Sequence, residues 1–210
     1  PLKLLKQVLR TPGETETCRN VIYNGPSSKK LDVVFVGSGI PTQGNFEYLV
    51  KNVIDTERKV DGLLSVEPFM SNKNKINFWR VDILDTFPEN SDIYYFDSYF
   101  DYAEPLAKEN CPFADQVIAL IAKPKTTSSF ASVGGEYAQM TINTNMFDEV
   151  LDSTYRSRII MSTGRVFIHE FGHSFGGLAD EYIKSEEVPS ESRIIASVNC
   201  DVAGCGKWCT

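Results

Sequence analysis

Leu31-Asp32-Val33-Val34-Phe35-Val36, preceded by Gly25-Pro26-Ser27-Ser28 and closed by Gly37-Ser38-Gly39, is the stretch from which the fold is read. A short, β-branched apolar run between two sets of turn residues predicts a buried strand. Directly downstream the period changes. Over residues 45–64, Phe46, Leu49, Val50, Val53, Ile54, Val60, Leu63 and Leu64 recur at three- and four-residue steps, which predicts an amphipathic helix with one stripe on a sheet. Strand followed by helix predicts an α/β layer.

The alternation continues along the chain. Ile76-Asn77-Phe78-Trp79-Arg80-Val81 predicts a strand, residues 98–109 a helix, and Asp115-Gln116-Val117-Ile118-Ala119-Leu120-Ile121-Ala122 a continuous apolar strand of the kind covered on both faces at a sheet centre. Residues 123–129 read as a loop. Residues 137–143 alternate, with Ala138, Met140 and Ile142 on one side and Tyr137, Gln139 and Thr141 on the other, which predicts a sheet-edge strand with one polar face. Residues 148–156 form a weaker helix, and Ser162 or Thr163 is the expected N-cap of a last helix. The fold class is therefore α/β, a mixed, mainly parallel twisted sheet flanked by helices.

With 210 residues and 42% hydrophobic composition, the chain suits one domain with a single packed core. Its net charge of −7 and scattered basic residues give no stripe for nucleic acid or an anionic membrane. No apolar run has the length of a membrane span. Gly37-Ser38-Gly39 lacks the GxGxxG or GK[ST] pattern of a phosphate loop and reads as a turn, and the aromatic and acidic run over residues 92–102 reads as a half-buried surface segment. The cysteine count is five, so at least one lacks a partner within the chain. Cys200, Cys205 and Cys209 lack zinc-knuckle spacing and read as a disulfide-stapled loop, which points to a secreted or cell-envelope location. The start at Pro1 and the stop one residue after this cluster read as an excerpt of a longer protein.

The chemistry lies in His169-Glu170-Phe171-Gly172-His173-Ser174-Phe175-Gly176-Gly177-Leu178-Ala179-Asp180-Glu181-Tyr182. At 100° per residue, His173 falls at roughly 40° and Glu170 at roughly 100° from His169, so all three share a face, while Ile168, Phe171 and Phe175 form an opposite apolar stripe. Two imidazoles one turn apart can ligate one Zn2+, and the glutamate between them can act as general base on a zinc-activated water. Gly176 and Gly177 predict a helix end that redirects the chain toward the metal. Where HExxHxxGxxH would place a third histidine stands Ala179, so a carboxylate must serve. Asp180 is favoured for its short side chain, with Glu181 in reserve.

HEFGHSFGGLADEY closely resembles the signature of zinc metallopeptidases grouped with the bacterial immunoglobulin A peptidase, a metzincin-like family. Asn24-Gly25-Pro26, the strand from Leu31 to Gly37, Glu67-Pro68-Phe69 and the stretch from Cys200 to Trp208 also look like family landmarks, so the resemblance covers most of residues 21–210. It implies a catalytic domain over 21–210, incomplete at its C-terminus, with residues 1–20 as the trailing end of a preceding region or a linker. It further implies His169, His173 and Asp180 as zinc ligands, Glu170 as catalytic base, and a protein or peptide substrate lying antiparallel to an edge strand. Residues 137–143 are the candidate strand, with Gly135, Tyr137 and Gln139 as substrate-binding candidates. Metzincins carry a methionine turn after the motif, yet no Met follows Met161, so that element lies past Thr210 or is absent. The expected activity is a zinc-dependent endopeptidase. The competing readings are a zinc-containing binding module without catalysis and a zinc amidase acting on cell-wall peptides.

Overall fold

The computed structural model describes residues 11–54, 62–88, 99–124, 129–148 and 153–180, the side chains of 153, 155 and 156 excepted. Among these residues, six strands form one mixed sheet: β1 (Cys18–Ile22), β2 (Leu31–Ser38), β3 (Ile76–Asp85), β4 (Gln116–Lys123), β5 (Phe130–Ala131) and β6 (Tyr137–Asn143), in the order β1-β3-β2-β4-β6-β5. The four inner strands run parallel, and β1 and β5 pair antiparallel at the two ends. Three helices accompany them, α1 (Gln43–Ile54), α2 (Phe100–Asn110) and α3 (Ser153–Ser174).

Strand alternation sorts the core into two layers. Val33 and Phe35 of β2 join Ile118 and Leu120 of β4, Ala138 and Met140 of β6, Phe46 and Leu49 of α1, and Phe167 and Phe171 of α3. Val34 and Val36 face the other way with Val117, Ala119, Tyr137 and the α2 residues Ala103 and Ala107. The chain moves from β2 to β3 through α1, then crosses back past β2 to β4 through α2. That reversal carries α2 to the opposite face, as right-handed crossovers require.

A buried hydrogen-bond cluster ties down the start of β2, and a disulfide ties β1 to the end of α2. The fully buried Asp32 carboxylate accepts from Asn77 Nδ2 at 2.8 Å and from Trp79 Nε1 at 2.6 Å through one oxygen, while Asn77 also receives the Asn24 amide at 2.7 Å. A disulfide joins Cys18 at the start of β1 to Cys111 just after α2, 93 residues apart. The cysteine stretch 200–209 lies outside the described residues.

Several expectations need correction. The helix expected over 45–64 starts at Gln43 and is described to Ile54; Leu63 and Leu64 belong to a separate 3-10 turn, Leu63–Ser65. The last helix does not begin at Ser162 or Thr163. It starts at Ser153 and runs through Gly164, and the Thr163 hydroxyl donates back to the Ile159 carbonyl at 2.8 Å instead of capping. Nor is β6 the outermost strand with a polar face. β5 pairs with its Ala138 and Gln139, and Tyr137 and Gln139 are buried.

Candidate metal centre

The site is built on the last two turns of α3. Phe167 and Phe171 are fully buried, 5.5 Å apart between ring centroids, and Phe167 meets Phe35 of β2 at 5.5 Å while Phe171 meets Phe69 at 5.4 Å. These contacts fix the rotation of the helix about its axis, which in turn fixes where the residues between the phenylalanines point. Phe175 departs from the expected stripe: it lies past the helix end and is 46% exposed, though its ring still stacks on Phe171 at 5.3 Å.

On the other side, His169 Nε2 and His173 Nε2 lie 3.1 Å apart, and Asp180 Oδ1 is 3.2 Å from each. The three residues form a group able to hold a metal ion. Zn–N and Zn–O bonds of about 2.0–2.1 Å at tetrahedral angles place ligand atoms about 3.3 Å apart, so the observed triangle fits that ion. Its third side chain arrives through the turn after the helix. Gly177, at φ +63°, sits in the left-handed conformation and its N–H donates to the His173 carbonyl at 3.1 Å, which stops the helix. Gly176 is held equally tightly, since a Cβ there would lie 2.7 Å from the Gly172 carbonyl oxygen.

The turn also sets the chemistry of His173. Its Nδ1 lies 2.5 Å from the Leu178 carbonyl oxygen. A carbonyl only accepts, so Nδ1 carries a proton, and Nε2 is the ring nitrogen that faces the triangle. Asp180 Oδ1 lies 3.2 Å from that Nε2. The His173 carbonyl takes a second hydrogen bond, from the Gly134 amide at 2.9 Å. The turn before β6 is thereby fastened to the end of the metal-site helix.

Glu170 is 6% exposed beside the triangle. Burial pushes its carboxyl up to about 7, with His173 opposing the rise and Asp180 adding to it. Glu170 and His169 form one end of a cleft of about 730 Å3 that continues along α3 against the outer part of β6.

His169, Glu170, His173 and Asp180 are thus brought together. Glu181 and Tyr182 lie outside the described residues. Of the substrate-binding candidates, Tyr137 and Gln139 are buried and Gly135 is half-buried. The Tyr137 hydroxyl pairs with Gln139 Oε1 at 3.1 Å within the core, its ring meets Phe100 edge-on, and Gly135 closes its turn by donating to Ser132 at 2.9 Å. The contributions of the Leu178 carbonyl and the Gly134 amide had no signal in the sequence, because backbone groups carry no residue type. Compared with known protein families and with curated proteins, the chain matches none.

Proposed function

We propose that the chain is a zinc-dependent endopeptidase acting on protein or peptide substrates, with Glu170 as general base. The observation that carries this reading is the triangle of His169 Nε2, His173 Nε2 and Asp180 Oδ1, with sides of 3.1–3.2 Å, placed beside a buried Glu170 at the end of an open cleft. His169, His173 and Asp180 would hold the ion. Zinc, when bound in such a site, makes a water acidic near neutral pH and polarises a carbonyl.

The remaining work falls to the chain. Glu170 accepts a proton from the attacking water as the C–O bond forms and delivers it to the nitrogen as the C–N bond breaks. The Leu178 carbonyl holds the His173 ring in one tautomer and orientation. The low exposure of Glu170 limits the water competing for its carboxylate. The resemblance of the motif to immunoglobulin A peptidase-like metallopeptidases supports the same reading. We place the enzyme in an exported setting, for which the Cys18–Cys111 disulfide is the support.

The test is Glu170→Gln in the full-length protein, assayed on an unfolded protein substrate with and without chelator. Retained zinc with hydrolysis reduced by about 100-fold or more is expected. Undiminished hydrolysis would remove Glu170 from the mechanism, and absence of chelator-sensitive cleavage by the unaltered protein would remove the peptidase reading altogether.

A further inference from the structure

The cleft that begins at His169 and Glu170 is not neutral along its length. Its α3 wall carries Arg158 and Arg165, and hydroxyls from Ser129, Thr141 and Ser162 line it as well. Glu170, at the metal end, is the one carboxylate among the described lining residues. Arg158 is exposed and, among the described residues, makes no ion pair that would neutralise it. Ser129 Oγ accepts from the Thr141 amide at 3.2 Å, which leaves its own hydroxyl hydrogen to donate.

We infer that this cleft is a recognition arm for an acidic segment of the substrate, with Arg158 receiving a carboxylate side chain at a distance from the scissile bond. The inference rests on the peptidase reading for what occupies the metal end. Spacing sets the distance. Arg158 precedes His169 by eleven residues, which at 1.5 Å per helical residue is about 16 Å along α3. An extended peptide rises about 3.3 Å per residue, so the carboxylate falls about five residues from the bond that is cut. A planar guanidinium pairs with a carboxylate through two parallel hydrogen bonds, which discriminates Glu or Asp from the isosteric amides.

Binding separates this inference from the chemistry. The full-length Glu170→Gln protein, loaded with zinc, is titrated with fluorescent decapeptides of Ala, Ser and Gly carrying a single Glu at successive positions, and with their Gln counterparts. One Glu position is expected to bind about tenfold tighter than its Gln partner, the scale of a single charge-assisted hydrogen bond. The preference should vanish in Glu170→Gln/Arg158→Ala and weaken as salt is raised. Arg158 is exposed, so its replacement leaves the core intact. Equal binding of Glu and Gln peptides, a preference that survives Arg158→Ala, or tighter binding of a sulfated glycan fragment than of every acidic peptide would overturn the inference. If the unaltered protein cleaves nothing while the Arg158-dependent preference persists, the peptidase reading falls and the acidic recognition arm stands.

Discussion

His173 Nδ1 donates to the carbonyl oxygen of Leu178, five residues on and beyond the end of the helix, at 2.5 Å. The imidazole is therefore oriented by a turn outside its own helix, and that turn depends on Gly177 in the left-handed region at φ +63°. Gly177→Ala meets no close steric neighbour, since a Cβ there has only Gly134 Cα at 3.9 Å. The cost is backbone conformation, about 1–2 kcal/mol for an L-residue in that region. Because the same turn aims His173 and delivers Asp180, zinc affinity should fall by about 10-fold or more, the range seen when a group that orients a ligand is lost. A competitive chelator titration of the variant checks this; unchanged affinity would show that the turn does not control the ligand.

Asp180 closes the triangle from a different segment than the two histidines, so its removal separates metal binding from helix integrity. In the unaltered protein, zinc at 100 times its dissociation constant should stabilise the fold by about 2.7 kcal/mol, visible as a rise in melting temperature. Asp180→Ala should retain the metal-free melting temperature and lose that rise. An equal zinc-dependent rise in Asp180→Ala and its loss in Glu181→Ala would transfer the ligand role to the neighbouring carboxylate.

The strands and the histidine pair were legible for a shared reason: both are local patterns. β6 matches its expected bounds and β4 shifts by one residue, because each is an uninterrupted apolar or alternating run. His169, Glu170 and His173 lie within five residues, and helix geometry alone puts them on one face. The errors came where a tertiary partner decided. Thr163 looks like a cap by residue type, yet its hydroxyl has the Ile159 carbonyl within reach and the helix simply continues. Tyr137 and Gln139 look like a wet face, yet they satisfy one another inside the core. β5 has two residues, too few to leave a periodic signal, and so the true end of the sheet was hidden. The Cys18–Cys111 pair joins positions 93 residues apart, a pairing that cysteine count cannot assign.

That pair should contribute substantially to stability. Cys18 and Cys111 are fully buried, and the bridge closes β1, β2, β3, α1 and α2 into one covalent loop. Loop-closure entropy for about 100 residues sets an upper scale near 4.7 kcal/mol, and measured native bridges contribute about 2–5 kcal/mol. Cys18→Ala/Cys111→Ala is therefore expected to lower the urea midpoint by an amount corresponding to that range. A midpoint equal to that of the unaltered protein would mean that the bridge does not constrain the unfolded chain.

Phe171 and Phe175 occupy one predicted stripe but differ in burial, and their replacements should differ accordingly. Phe171 is fully buried, with the rings of Phe69, Phe167 and Phe175 at 5.3–5.5 Å. Phe171→Ala removes a core ring and leaves a cavity, at a cost of about 3–5 kcal/mol. Phe175 has already left the helix and is 46% exposed, so Phe175→Ala forfeits only part of one ring's burial, about 1 kcal/mol. The two should diverge in function as well. Phe171 precedes His173 by two residues and sets the rotation of the helix that carries it, so zinc affinity should drop with Phe171→Ala and hold with Phe175→Ala. Denaturant unfolding and chelator titration on both variants read this out. Equal losses would mean that the exposed ring is as much a part of the core as the buried one, and that the helix end at Ser174 does not divide the stripe.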